Sequence, residues 1–272
     1  MARILVSTGA LIGRPNGRDF RLLAPLSEQL TCDGYEFMMY SDWYEKIGEI
    51  VSLVQNLGLK VPVYHAQKSI GESISKGGSE ELEDAFYRFS QNAEMAARLG
   101  AEKMVIHLWD GITSDRNIEN NLKAYETLRK IADENGIELL VENVVCNCAD
   151  PFTHWDELLE RYPDVKFIFD TKMAAFHGQL DRLYDPEREK LWREGHIRHY
   201  HVNDYGGGYM DWANLRTLPI GSGNIDFERF FGFVRKTGYD DTFTLESTAF
   251  DATGAVNTGM LNGEIEFIRM HL

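Results

Sequence analysis

Four apolar runs in the later part of the chain finish on a side chain able to do chemistry: LLVEN presents Glu142, FIFD presents Asp170, HYHVND presents His201 and FTLES presents Glu246. Three carboxylates gathered at one point repel one another strongly unless a cation sits between them, so the set reads as a divalent-metal site wherever these ends meet. Oxygen donors with a single imidazole suit manganese or magnesium, and zinc or cobalt also accept them. A polar residue closing an apolar run is often just the first residue of a loop; four in succession argue for a shared site. His65 in VYHAQ and His107 in VIHLW end earlier runs in the same way, the plainer reading of each being a satisfied buried histidine. Trp109 in HLWDG offers an apolar wall for a bound ring or mere packing. Arg216, before LPIGSG, offers a cation for an anionic group or a solvated charge. Glu36 in YEFMMYS reads as polar filling. His199 shares the face of His201 and so reads as a partner of the site, Tyr200 being the alternative. His177, just beyond the sixth run, could reach the same pocket, a plain loop position being the blander reading, and His154, His196 and His271 receive no role.

What must position these residues is a regular alternation. Eight β-rich runs (RILVSTG, YEFMMYS, VPVYHAQ, KMVIHLW, ELLVENV, KFIFDTK, RHYHVND and FTLEST) are separated by segments such as SEELEDAFYRFSQNAEMAARLG, NIENNLKAYETLRKIADENG, THWDELLERYP and FERFFGFVRKTGY, whose apolar residues recur at helical spacing. Gly58, Gly100, Gly136 and Gly238 stand where a left-handed helix cap would lead into the next strand. Eight such units need parallel strands with crossover helices and close naturally into a single (β/α)8 barrel, in which strand carboxyl ends converge on one face. No GxGxxG turn follows the first strand to favour an open dinucleotide-binding sheet. We find no linker or low-complexity segment, so residues 1–272 read as one domain. The stretch Tyr205 to Gly223 is a long loop and a candidate substrate lid; its GSG at Gly221 to Gly223 reads as a turn, since GxxxxGK[ST] is missing.

A formal net charge of -15 argues against a nucleic-acid backbone as partner, because that affinity rests on Lys and Arg replacing counterions. The composition is 43% hydrophobic and 12% aromatic, as an ordered globular chain requires. Cys32, Cys146 and Cys148 form no CxxC pair and suggest neither a disulfide framework nor a zinc ribbon, which fits a reducing cytoplasm. No signal-peptide h-region or transmembrane run is expected.

The ordered set VIHLW, LLVEN, FDT, HVND, LPIGSGNIDFERF and TLES resembles the xylose-isomerase-like barrel superfamily of sugar isomerases and epimerases, with the related apurinic endonucleases, over nearly the whole chain. The resemblance to its ketose epimerases and hydroxypyruvate isomerases implies one divalent metal held by Glu142, Asp170, His201 and Glu246. The endonuclease branch needs more ligands, including a histidine three residues beyond the strand-six aspartate; Met173 stands there, and DWANLRTLPIG lacks an Asp-x-His pair, so DNA repair is disfavoured. Met173 also departs from the epimerases, where that histidine often contacts substrate.

The resemblance implies isomerisation or epimerisation next to a carbonyl, with Glu142 and Glu246 removing and returning a proton on opposite faces through an enediolate. His65, His107, Trp109 and Arg216 are the substrate-binding candidates. An inosose-dehydratase-like lyase on the same metal site and a non-catalytic metal- or sugar-binding barrel are the rivals. The expected partner is a small sugar or sugar derivative rather than nucleic acid or membrane, and the aromatic loop YGGGYMDW suits packing against a second copy of the chain or closing over ligand.

Overall fold

A computed structural model describes residues 2–110 and 115–272. Its strands are β1 Arg3–Ser7, β2 Gly34–Met38, β3 Val63–His65, β4 Lys103–Ile106, β5 Glu138–Glu142, β6 Lys166–Asp170, β7 Ile197–Val202 and β8 Thr242–Leu245. They follow one another in a closed barrel in chain order, β8 pairing back onto β1. All eight expected runs become strands, because parallel strands buried on both faces read as near-continuous apolar segments. The expected caps also hold: Gly58, Gly100, Gly136 and Gly238 all have positive φ. Among the described residues, no helix is long and apolar enough to cross a membrane.

Internal packing divides the chain into two compact units, residues 1–36 with 57–60 and 169–272, and residues 37–56 with 61–168. In the first, β7 shows how a period of two sorts side chains. Tyr200 is buried against Phe230, Phe243 and Tyr239, and its hydroxyl accepts from Trp192 Nε1 at 2.7 Å. His199 and His201 therefore point the other way, as do Thr242 and Thr244 of β8, which lie to either side of the outward Phe243. The helix Phe227–Thr237 buries Phe227, Phe230, Phe231 and Val234, an i, i+3, i+4, i+7 stripe.

In the second unit, the helix Ser79–Leu99 buries Ala85, Phe89, Asn92, Ala93 and Ala96. Asn92 fixes the end of β3, its Oδ1 accepting from Gln67 N at 3.0 Å. Trp155, on the helix Pro151–Arg161, stacks on Phe167 of β6 at 4.3 Å between centroids. The helix Ser69–Lys76 approaches the end of β4 so closely that a Cβ on Gly71 would lie 2.6 Å from Leu108 O.

Candidate active site

The strand ends carry two buried polar clusters, one in each unit. In the first, β6 delivers Asp170, β7 delivers His201 and β8 leads directly into Glu246. His201 Nδ1 lies 3.7 Å from Asp170 Oδ2 and 3.6 Å from Glu246 Oε2. Its other nitrogen, Nε2, lies 2.9 Å from both oxygens of Glu36. Asp170 and His201 are fully buried, and only 8% of the Glu246 side chain is exposed.

Glu36 is the hub beneath this cluster. Besides His201 it meets His199 Nε2 at 3.0 Å and accepts from Thr244 Oγ1 at 2.8 Å, while His199 Nδ1 sits 2.7 Å from Thr242 Oγ1. Burial would raise its pKa, but the imidazoles of His201 and His199 outweigh this and hold it well below the usual carboxylate range. With Nε2 committed to Glu36, Nδ1 is the His201 nitrogen left to meet a cation, presenting a lone pair once its proton is given up. That lone pair then faces two carboxylate oxygens, an arrangement of acceptors that a cation satisfies.

Asn203, just past β7, steadies the two carboxylates. Its Nδ2 donates to Asp170 Oδ2 at 3.1 Å and to Glu246 Oε2 at 3.4 Å. The other Asp170 oxygen caps the helix Thr171–Phe176, accepting from Met173 N at 2.7 Å. Met173, which replaces the expected histidine, thus contributes its backbone here. Its neighbour Lys172 is buried and donates to Thr217 Oγ1 at 2.9 Å.

In the second unit, the candidates gather around Glu142 at the end of β5. His107 Nε2 lies 2.9 Å and His65 Nε2 3.4 Å from the same oxygen, Oε2. The rings of His65 and His107 meet at 5.0 Å, and His65 Nδ1 is fixed by Ala66 O at 2.8 Å. Burial acts to lower the His107 pKa, yet Glu142, with Asp110 3.4 Å from Nδ1, lifts it to about 9. These three donors form one compact group, as do Glu36, His199 and His201.

Two candidates lie apart from these clusters. Trp109 is completely buried, its indole N–H donating to Val144 O at 2.7 Å and its ring edge-on to His154, the environment of a packing tryptophan. Arg216 is exposed on the loop after β7. That loop is anchored by Asp204, whose two oxygens accept from the N–H groups of Tyr205, Gly221, Gly223 and Ile225 at 2.8–3.1 Å. The GSG turn is therefore a clasp on Asp204: a Cβ on Gly223 would stand 2.5 Å from Asp204 Oδ1. Sequence reasoning passed over Asp204 and Asn203 because only folding reveals what their short side chains reach.

Residues 27–269 match the xylose isomerase-like TIM barrel family. The chain belongs to it. No curated protein matches the chain in sequence. Among solved structures, the barrel is similar to D-allulose 3-epimerase from Methylomonas sp. in complex with D-allulose, at TM-score 0.75 and 14% identity, covering 100% of this chain and 97% of that one. It is also similar to an L-ribulose 3-epimerase, at TM-score 0.71 and 18% identity over 100% and 95% of the two chains. A 3-keto-D-glucoside 4-epimerase from E. coli gives TM-score 0.67 and 14% identity over 99% and 100%. At such identities the likeness is one of fold.

Proposed function

We propose that the protein is a divalent-metal-dependent sugar isomerase or epimerase that moves a proton at the carbon beside a ketose carbonyl. The observation that carries this reading is the pairing of His201 with Glu36 through Nε2, which turns Nδ1 toward Asp170 and Glu246. Consecutive order of β5 to β8 in the closed barrel supports adding Glu142 to these three as the fourth ligand. The same closed order supports one domain spanning 1–272. Manganese or magnesium suits the oxygen-rich donors, with zinc or cobalt as further candidates. Bound there, the ion would act as a Lewis acid that lowers the cost of enolising the substrate carbonyl.

Glu142 and Glu246 are the proton-transfer pair, ending strands on either side of Asp170 and His201. Each would have to help hold the cation while keeping one oxygen for the substrate proton. His107, 2.9 Å from Glu142 Oε2, orients the carboxylate, with His65 beside it. Asn203 does the same for Glu246 and Asp170. A sugar substrate is supported by the family and by the likeness in fold to a D-allulose 3-epimerase, an L-ribulose 3-epimerase and a 3-keto-D-glucoside 4-epimerase. Incubation with a ketose panel and a divalent metal should give a product of unchanged mass. Glu142→Gln or Glu246→Gln should lower turnover by about 10²–10⁴-fold. A product lighter by one water would assign the site to a dehydratase instead.

A further inference from the structure

A further cluster of metal-ligand type lies in the connections that follow β4 and β5. Asp115 opens the turn leading into the helix Ile118–Glu134, Cys146 lies in the loop after β5, and His154 sits in the first turns of the helix Pro151–Arg161. One ligand atom from each comes within 4.8 Å of the others. All three residues are buried, with 3%, 0% and 2% exposure.

The supporting bonds orient this trio. Asp115 Oδ2 accepts from the N–H groups of Asn147, Cys148 and Ala149 at 3.0, 2.5 and 3.3 Å, so the loop that carries Cys146 folds back onto the carboxylate. The other oxygen, Oδ1, is buried with no hydrogen-bond partner among the described residues. His154 Nδ1 lies 2.9 Å from Glu157 Oε2, while its Nε2 is buried, likewise without a hydrogen-bond partner, and 3.9 Å from Asp115 Oδ2. A histidine whose far nitrogen is held by a carboxylate and whose near nitrogen faces other donors is the support pattern of metal-ligating imidazoles. Trp109 packs edge-on against the same ring at 5.0 Å between centroids.

We propose that Asp115, Cys146 and His154 form a zinc-binding site, distinct from the metal set assigned to proton transfer. Thiolate, imidazole and carboxylate match the ligand preference of zinc, whereas the sulfur disfavours magnesium or calcium. Three protein donors leave one zinc position for a solvent ligand. The ion would staple the two connections that flank β5 and so hold the strand that presents Glu142.

The test uses cobalt(II) as a spectroscopic stand-in. Chelator-stripped protein titrated with cobalt should develop a saturable near-ultraviolet thiolate-to-metal band that vanishes on adding zinc. Because the proton-transfer set contains no sulfur, the band reports a cysteine-ligated site and not that set, and the variants say which cysteine. It should persist in Glu246→Gln and Cys148→Ser and be lost in Cys146→Ser and His154→Gln, with circular dichroism confirming that each variant is folded. Absence of the band in the unmodified protein overturns the proposal and leaves His154 as an imidazolium between Asp115 and Glu157, a result that needs no variant to fold. A band lost in Cys148→Ser but kept in Cys146→Ser also overturns it, by placing the metal on the exposed thiol.

Discussion

Replacing Glu36 by glutamine tests the hub beneath the metal set while barely changing volume. The carboxylate meets two imidazole nitrogens and one hydroxyl at 2.8–3.0 Å, all fully buried. An amide has one oxygen, so its NH₂ must face at least one group that was donating. The loss is one charge-assisted bond, about 1.5–3 kcal/mol, plus one buried unsatisfied donor, about 1–3 kcal/mol. The sum agrees with the roughly 3–5 kcal/mol found when one partner of a buried ion pair is removed. For a chain of this length a loss near 3 kcal/mol lowers Tm by about 6–12 °C. Metal affinity should fall about 10–100-fold, since Nε2 of His201 is no longer committed to a carboxylate. Calorimetry of the stripped protein and isothermal titration with manganese read the two effects separately. Unchanged Tm and unchanged manganese affinity would refute the role given to Glu36.

Three further outcomes follow from particular contacts. Gly71→Ala would drive a methyl group into the His107 and Leu108 carbonyls, so it should cost about 1–3 kcal/mol and lower kcat through displacement of His107, read by denaturation and kinetics. Asp204→Ala strips four backbone N–H groups of their acceptor and should cost roughly 3–5 kcal/mol, with faster proteolysis within the loop 206–223. Glu264 is raised above its ordinary value of 4.5 by burial, against the lowering effect of Ile220 N and Ser247, and its Oε2 has no hydrogen-bond partner among the described residues. The folded state therefore binds this proton more tightly than the unfolded one, and stability should decline as pH rises from 4.5 through the folded pKa. Glu264→Gln should remove that decline in urea titrations across pH.

The barrel was legible because its strands are buried on both faces and its helices stop at glycine. FIFD and LLVEN announce their strands by an unbroken apolar run, and a carboxylate closing each one stands out against it. Packing partners remote in sequence were not legible. Glu36 and His201 are 165 residues apart, and nothing in YEFMMYS says which imidazole the glutamate will meet. The grouping of Asp115, Cys146 and His154 is not legible for the same reason: their spacing follows no metal-binding pattern. Trp109 shows the converse, since an aromatic after a strand end is read equally well as a wall or as packing until its N–H partner is seen.

Proton exchange tests the central claim most directly. The protein, loaded with manganese or magnesium at a level low enough to preserve NMR resolution, is incubated with a panel of ketoses in heavy water beside a Glu246→Gln control. Deuterium should enter at the carbon next to the carbonyl, and do so only with metal and an intact Glu246. Absence of exchange in every ketose despite tight metal binding, or exchange that persists in Glu246→Gln, would contradict it.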